Sequence, residues 1–268
     1  MRVFNIIQSS LRTYRVKRYV FQSQLECYSR HATSIWRNKW QHYRALPTGV
    51  TKLGSEQFII KNTMATTDHL TPEINLRLMT PQCKLYHCKF DDTSGVSDPY
   101  WAFYWPGGQV LTRFLLDNPS YVIGKNILDV GSGCGATAIA CIKLGANNVL
   151  ANDIDPVAEK AIHLNAELNG VSIETSTENM IGKVDTEFDT IILGDMFYDE
   201  SFTKQVTDWL LKLLSLKRKM IMIGDPGRVF LNQLPIRKHL HQLEKYRLTE
   251  QCKFENHGFN DAAVWTIK

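Results

Sequence analysis

Short apolar runs alternate with stretches of helical periodicity over the second half of the chain. Buried-strand patterns fall at residues 127–130, 149–152, 173–176, 188–194 and 220–224. Between them, apolar residues recur three and four positions apart at 136–144, 156–169 and 202–214, which predicts helices. Because strands that alternate with helices build parallel sheets, the pattern predicts an α/β fold with a doubly wound sheet.

The ends of this core follow other patterns. A helix is expected at about residues 234–246, and strands at 248–254 and 262–267 are expected to form an antiparallel hairpin at the sheet edge. Upstream, Thr71 and Pro72 have the residue types of a cap and first helical position, which predicts a helix start. Another helix follows Trp105-Pro106 and ends near residue 118.

A glycine-rich turn follows the first core strand. Gly131, Gly133 and Gly135 stand at alternate positions before helix 136–144. Glycines permit a sharp turn and the close approach of a ligand, and the helix N-terminus directs free N–H groups at the same place. The next strand is followed by Asp153, an acid positioned to hold the hydroxyls of a ribose. The arrangement predicts a site for a nucleotide-type cofactor.

Two cofactor classes fit this turn. The glycine spacing also satisfies G-x-G-x-x-G/A, so a nicotinamide dinucleotide stays open on spacing alone. Asp129 favours a different ligand, because a carboxylate just before the first glycine attracts a cationic head group and repels a diphosphate. Asp155 competes with Asp153 for the ribose, but it precedes Pro156 and is better explained as a helix cap.

A second group of polar residues follows strand 188–194. Asp195 and Tyr198 are three positions apart, so a carboxylate and a phenol can hydrogen-bond an amine and wall its methylene stem. A turn in which Asp199 or Ser201 caps the next helix is the structural alternative. Because ligands of open α/β sheets bind at the carboxyl ends of strands, the position favours a substrate site.

Other reactive side chains carry weaker signals. Asp225 and Arg228 either touch the substrate or form an Asp-Pro-Gly turn. Cys134 is better explained as a small apolar filler than as a nucleophile, because nothing nearby in sequence would activate its thiol. His239 and His241 lie two apart on the predicted helix and point to different faces. The cysteines have no metal-ligand spacing, so we predict no metal.

The positive charge of the chain is concentrated at its N-terminus. Residues 1–55 contain ten Lys/Arg and one acid, whereas the remainder carries 21 basic and 26 acidic residues. This composition is typical of a mitochondrial transit peptide, although a disordered basic tail or a nucleic-acid arm is similar. No apolar run approaches a membrane span, so we expect a soluble protein. The acidic remainder would repel nucleic acid.

The motifs around these sites resemble a known family. Asp129 with the G-x-G-x-G turn is similar to motif I of class I S-adenosylmethionine-dependent methyltransferases. Asp195-x-x-Tyr198 and the Trp105-Pro106 segment resemble the seven-β-strand protein lysine methyltransferases. The resemblance implies a Rossmann-like class I sheet, S-adenosyl-L-methionine as cofactor and lysine as methyl acceptor, with Asp195 and Tyr198 as catalytic residues. We expect Asp195 to orient the amine, since a carboxylate raises the pKa of a neighbouring ammonium.

With this cofactor, the remaining candidates take roles by position. Glu178 and Asn179 are expected near the adenine, with the edge of the core as an equal alternative. Trp105 is expected to line the cofactor entrance with Gln109 as a polar contact, although Trp101 and Trp105 fit a core pair as well. The predicted cofactor-binding residues are Asp129, Gly131, Ser132, Gly133, Gly135, Asp153, Ile154, Glu178, Asn179, Trp105, Gly107 and Gln109.

A mitochondrial branch of this family is resembled by the runs at residues 70–74, 98–102, 104–109, 193–199 and 223–228, and the likeness covers about residues 68–268. That resemblance implies the β subunit of the electron transfer flavoprotein as the protein substrate, with methylation tempering its electron transfer with dehydrogenases, and a location in the mitochondrial matrix. We expect a monomer with no nucleic-acid partner. The chain then divides into a targeting or disordered segment at 1–55, an extension over the active site at 56–108 and a methyltransferase domain at 109–268.

Four other functions stay open. A small-molecule methyltransferase would share every cofactor residue and differ only in its acceptor. A non-catalytic assembly factor that binds S-adenosylmethionine would not need Asp195 or Tyr198. A dehydrogenase would bind NADH instead, and a nucleic-acid methyltransferase would use the basic N-terminal segment.

Overall fold

A seven-stranded sheet forms the centre of the chain in the computed structural model, which describes residues 52–87, 99–184, 187–216, 219–233, 235–256 and 258–268. The strands are β3 (Asn126–Val130), β4 (Asn148–Asn152), β5 (Glu174–Ser176), β6 (Thr190–Gly194), β7 (Met220–Asp225), β8 (Leu240–Arg247) and β9 (Asp261–Ile267). A separate antiparallel pair consists of β1 (Met64–Thr66) and β2 (Leu76–Leu78). The helices are α1 (Lys52–Asn62), α2 (Pro106–Asp117), α3 (Ala136–Lys143), α4 (Pro156–Leu168), α5 (Glu200–Ser215), α6 (Val229–Gln233) and α7 (Glu250–Glu255).

The strand order confirms the predicted doubly wound sheet. The order is β5-β4-β3-β6-β7-β9-β8, and β3 pairs in parallel with both β4 and β6, so the strand order reverses at β3. β9 pairs antiparallel with β7, and β8 pairs antiparallel with β9. The predicted antiparallel addition at the edge is therefore present. The carboxyl ends of β3, β4, β6 and β7 meet at one edge, where a ligand crevice is expected.

Both faces of the sheet are buried, which explains the continuous apolar runs of its strands. Along β3, Ile127 packs into one apolar cluster and its neighbour Leu128 into the other. Ile192 and Ile191 of β6 divide in the same way. On the first face the sheet packs against α2 through apolar residues that include Leu111, and on the second against α5.

The helix predicted to start at Thr71 is wrong. The chain forms a turn there, in which the Ile74 N–H donates to the Thr71 carbonyl oxygen at 3.0 Å, and it continues into β2. The Thr71 hydroxyl lies 3.2 Å from His69 Nδ1 and 3.2 Å from the Tyr104 hydroxyl, so it joins a buried polar cluster. Cap and proline residue types are common to helix starts and turns, and tertiary contacts select the turn.

The predicted helix at 234–246 and the strand at 248–254 are also wrong. A short 3₁₀ helix, Pro235–His239, leads into strand β8, which contains His241, and the second segment contains helix α7. A register shift between Gln242 and Glu244 interrupts the alternation of β8, so a period of two is hidden among strong helix formers. Thr249 caps α7 by accepting a hydrogen bond from the Cys252 N–H at 3.2 Å.

The predicted division of the chain depends on residues that the structure describes only in part. Most of the predicted segment 1–55 lies outside the described residues, as do residues 88–98, so the proposed division of the chain stays a prediction. Within the described ranges, none of the helices combines the length and apolar content needed to cross a bilayer. No group of three or more His, Cys, Asp or Glu side chains suited to a metal is found among the same residues.

Candidate active site

The turn after β3 has a backbone that only glycine adopts easily. Gly131, Gly133 and Gly135 have φ angles of 68°, 55° and 82°, all in the left-handed region. A Cβ on Gly131 would lie 2.4 Å from the sulfur of Met196. A Cβ on Gly133 would meet no atom closer than 3.9 Å, so this part of the turn stays open to a ligand.

Asp129 is a buried carboxylate beside this turn. The Ser132 hydroxyl donates to its Oδ2 at 2.7 Å, so the predicted cofactor contact Ser132 also orients Asp129. Burial raises the pKa of Asp129 to about 7, against hydrogen bonds from Ser132 and the Ala138 N–H that lower it. A buried carboxylate with a raised pKa is stabilised in its charged form by a cation, such as an amino-acid ammonium group.

Asp153 and its neighbours follow β4, the strand next to β3 in the sheet. Asp153 accepts from the Gly133 N–H and the Asp155 N–H, each at 3.0 Å, and burial raises its pKa to about 6. Ile154 is 59% exposed beside it and offers an apolar surface to a ring. Asp155 accepts from the Val157 N–H at 2.8 Å, so it is the cap of α4 as expected.

Asn152 is a buried residue that the motif search missed. Its side-chain amide donates to the backbone carbonyl oxygens of Ser176 and Glu178 at 2.9 and 2.8 Å. The backbone carbonyl oxygen of Asn152 accepts from the Ser132 N–H at 3.0 Å. It therefore ties together the turns after β3, β4 and β5. The sequence signal for this residue is a polar side chain at the end of an otherwise apolar strand.

The predicted adenine contacts have other partners. The Glu178 carboxylate is exposed and pairs with Lys183, and Asn179 Oδ1 accepts from the Ile181 N–H at 3.0 Å. The Gln109 side chain is buried, donates to the Tyr104 carbonyl oxygen at 2.7 Å and accepts from the Leu70 N–H at 3.1 Å. Glu178, Asn179 and Gln109 thus connect parts of the protein to one another.

Cys134 lies near the same turn and is buried. Burial raises the pKa of its thiol to about 12, so the nucleophilic thiolate is strongly disfavoured. This agrees with a packing role.

Asp195 lies directly after β6 in an unusual conformation. Its φ of 58° is left-handed, which is uncommon for a non-glycine residue, and its side chain is buried. The Gly107 N–H, in the first turn of α2, donates to Oδ2. Arg228 donates to Oδ1 through Nε at 2.8 Å and Nη2 at 2.7 Å. The structure thus joins Asp195 to Arg228, 33 residues away.

Glycines allow α2 to reach the sheet edge. A Cβ on Gly107 would lie 2.1 Å from the Gly224 carbonyl oxygen, and one on Gly194 would lie 2.9 Å from the Gly108 Cα. The start of α2 is therefore pressed against the ends of β6 and β7, which aims the Gly107 N–H at Asp195.

Aromatic rings lie on the segments that precede α2 and follow β6, on either side of Asp195. Tyr198 is 51% exposed, and its ring centroid lies 6.3 Å from that of Tyr100 and 5.3 Å from that of Phe202. The Trp105 indole N–H donates to the Tyr100 carbonyl oxygen at 3.0 Å, and the Arg228 guanidinium carbon lies 6.0 Å from the Trp105 ring centroid. Such a surface suits the stem of a long cationic side chain.

Asp225 forms the turn that carries Arg228. Its Oδ1 accepts from the Gly227 and Arg228 N–H groups, each at 2.7 Å, so the Asp-Pro-Gly turn is present. Its Oδ2 is buried, and no described residue forms a hydrogen bond with it. Burial, together with the charge of Asp195, raises the pKa of Asp225 to about 7.

The strand order and the glycine turn after β3 define a class of protein, the α/β proteins with a Rossmann-like sheet. Residues 115–195 match the family described as ribosomal protein L11 methyltransferase (PrmA). The chain is 48% identical over 212 residues to the electron transfer flavoprotein beta subunit lysine methyltransferase of Xenopus laevis, covering 79% of this chain and 86% of that one. It is 44% identical to the Rattus norvegicus protein of the same name, covering 85% of this chain and 94% of that one. The chain belongs to this family of lysine methyltransferases.

Among solved structures, a ribosomal protein L11 methylase from Lactobacillus delbrueckii subsp. bulgaricus gives a TM-score of 0.43 at 24% identity. The match covers 59% of this chain and 76% of that one, and a likeness of this size does not bear on function.

Proposed function

We propose that the protein transfers methyl groups from S-adenosylmethionine to lysine side chains of the electron transfer flavoprotein β subunit. One observation carries the proposal: the glycine turn and the Asp195 turn touch each other. Met196 follows Asp195, and its sulfur lies only 2.4 Å from the position that a Cβ of Gly131 would take. Cofactor and acceptor sites in direct contact are what a one-step transfer between two bound groups requires.

The cofactor would be held by the turns that follow β3 and β4. Asp129 would bind the amino group of its methionine part, supported by the Ser132 hydroxyl. Asp153 would bind the ribose, and the exposed Ile154 would pack on the adenine. The open space beside Gly133 leaves room for close approach of the cofactor. S-adenosylmethionine, when bound there, supplies an electrophilic methyl group on its sulfonium sulfur.

The acceptor lysine would enter beside Asp195. Its amine must be neutral to attack, and at a pKa of about 10.4 this costs roughly 4 kcal/mol near neutral pH. Asp195 would orient the amine through hydrogen bonds, while Tyr198 and Trp105 would flank the methylene stem. The aromatic walls also exclude water from the amine, which disfavours its charged form. The proton would leave to solvent.

The names of the relatives support the substrate and a mitochondrial location. The basic composition of residues 1–55 supports a matrix targeting segment. We further propose that residues 56–108 form an extension over the active site, that residues 109–268 form the methyltransferase domain, and that the enzyme is a monomer without a nucleic-acid partner.

The test is transfer of labelled methyl groups to a mitochondrial matrix extract from cells that lack this enzyme. The full chain would be compared with Asp195→Ala and with Asp155→Ala, a control that removes a carboxylate from a helix cap. We expect one labelled band at the mass of the flavoprotein β subunit, lost only with Asp195→Ala.

Three other results would contradict the proposal. Label on a different protein would keep the methyltransferase and overturn the substrate. Label on metabolites alone would identify a small-molecule enzyme. Cofactor binding with no transfer to any acceptor would identify an assembly factor.

A further inference from the structure

Arg228 is the positively charged partner of the proposed acceptor site. Both Nε and Nη2 of its guanidinium contact Asp195 Oδ1, at 2.8 and 2.7 Å. The Asp195 side chain is 5% exposed and that of Arg228 is 21% exposed, so solvent screens this pair weakly. The remaining Asp195 oxygen accepts from the Gly107 N–H.

The turn from Asp225 to Arg228 fixes the direction of this guanidinium. Asp225 Oδ1 accepts from the Arg228 N–H, and Gly227 has a φ of 93°, which closes the turn. Farther along its side chain, Arg228 lies 6.0 Å from the ring centroids of both Trp105 and Phe259. The cation is therefore held at both ends, in a position set by the end of β7.

The pairing bears on the protonation of a bound lysine. An unpaired carboxylate beside an ammonium group raises the pKa of that group and keeps it protonated, which opposes methyl transfer. A carboxylate that is paired with a guanidinium still accepts hydrogen bonds, but the net charge of the pair is zero. A bound amine then loses its proton more easily.

The geometry points to Arg228 as a positioning residue that neutralises the charge of Asp195, so that a substrate lysine bound beside Asp195 can lose its proton. This inference rests on the proposed lysine methyltransferase function and adds a residue to its mechanism. Arg228 acts through Asp195 and needs no contact with the methyl group.

Among the described residues, the charged and polar groups around this site, the pair included, come from three segments. The first turn of α2 contributes the Gly107 N–H, and the segment after β6 contributes Asp195 and the Tyr198 phenol. The segment after β7 contributes Asp225 and Arg228. Because burial and the charge of Asp195 raise the pKa of Asp225 to about 7, Asp225 would carry a negative charge mainly above that pH. Arg228 is thus the cation that sets the balance.

The experiment measures kcat as a function of pH, at saturating S-adenosylmethionine and saturating flavoprotein β subunit isolated from cells without this enzyme. Under saturation, the alkaline rise of kcat reports the pKa of the bound amine. Arg228→Gln is expected to shift this rise upward by about one pH unit or more, since one nearby charge is lost. Arg228→Lys keeps the charge, so the alkaline rise is expected to stay at the same pH, even though kcat falls.

The double variant Asp195→Asn with Arg228→Gln removes both charges and is expected to return the rise toward its position in the parent enzyme. The dissociation constant for S-adenosylmethionine, measured by calorimetry, is expected to stay within a factor of about two in every variant, because Arg228 lies on the acceptor side. A fold defect would change that constant as well.

A profile that does not move in Arg228→Gln overturns the inference, whatever happens to the rate. An Arg228→Gln enzyme that is faster with an unmoved profile would instead identify an inhibitory contact that blocks Asp195. If the parent enzyme transfers no methyl groups to the β subunit, the proposed function fails first, so the two failures are distinguishable.

Discussion

Single atoms decide how closely α2 approaches the sheet, and Gly107 is the clearest case. A Cβ added to Gly107 would lie 2.1 Å from the Gly224 carbonyl oxygen and 2.6 Å from Asp195 Oδ2. Backbone atoms cannot move aside as a flexible side chain can. The position of Asp195 therefore depends on the absence of a Cβ at Gly107 in α2.

Gly107→Ala is expected to destabilise the protein by about 1–3 kcal/mol, because α2 must move away from β7. Since that movement displaces the Asp195 carboxylate, we expect kcat to fall on the order of 100-fold. Gly108→Ala is the matched control, because its new methyl group would meet only Tyr104 Cε2 at 3.4 Å. Urea unfolding and methyl-transfer assays measure both effects. Equal effects of the two variants would contradict this account.

If Asp129 holds the cofactor as proposed, cofactor binding is expected to depend on pH. Burial raises its pKa to about 7, and a cationic head group requires the ionised form. Affinity for S-adenosylmethionine is therefore expected to rise as pH increases, by up to roughly tenfold per pH unit below that pKa. Calorimetry between pH about 5.5 and about 8 measures this dependence. Asp129→Asn is expected to bind weakly with a flatter profile; an equally steep profile in that variant would assign the effect to another group.

At the scale of elements, the predictable parts are those whose local pattern agrees with their tertiary setting. The strands from β3 to β7 are buried on both faces, so their apolar runs are visible in the sequence. The pattern of β8 predicts a helix because a register shift hides its alternation, whereas pairing with β9 makes it a strand. Propensity is overruled there by a partner that is distant in sequence.

The site divides in the same way. The positions of Asp129, the three glycines and Asp153 follow from a strand, a turn and a helix that are adjacent in sequence. The Asp195–Arg228 pair depends on the register of β6 against β7, in which Gly194 is opposite Gly224. Local pattern contains no information on that register, so the turn and the substrate contact could not be separated from sequence.

Two neighbouring acids at the start of α4 have different roles. Asp155 caps the helix, so Asp155→Ala is expected to lower the free energy of unfolding by about 1 kcal/mol and leave cofactor affinity unchanged. Asp153→Ala is expected to weaken cofactor binding at least tenfold, a loss of about 1.4 kcal/mol. Calorimetry and urea unfolding on both variants separate the roles. Loss of affinity in Asp155→Ala alone would reverse the assignment.

At the scale of the whole molecule, the carboxyl-end edge of the sheet carries three acids, of which Asp129 and Asp225 are buried and Asp153 is half-buried. Asp129, Asp153 and Asp225 all have raised pKa values, of about 7, 6 and 7, with burial as the first cause. An edge with a purely structural role would avoid such groups, since burial opposes the ionisation of each carboxyl group. The arrangement is consistent with an edge whose acids are stabilised by a cationic ligand.

These acids determine how the stability of the unliganded protein changes with pH. A carboxyl group whose pKa is higher in the folded state holds its proton after the unfolded chain has lost it. Stability then falls as pH rises from about 4 to about 7, by up to about 1.4 kcal/mol per pH unit for one group. His69 acts in the opposite direction, because burial lowers its pKa to about 4, so it offsets one acid below pH 6.5.

We therefore expect the free energy of unfolding without cofactor to be lower at pH 7.5 than at pH 5, and Asp225→Asn to reduce that difference, because it removes one of the three acids. S-adenosylmethionine is expected to stabilise the protein more at the higher pH, where it meets ionised carboxylates. Urea unfolding at both pH values, with and without the cofactor, measures all three quantities. Stability that increases with pH in the unliganded protein would mean that these carboxyl groups are already ionised without a cation beside them, and the electrostatic reason for cofactor binding at this edge would be lost.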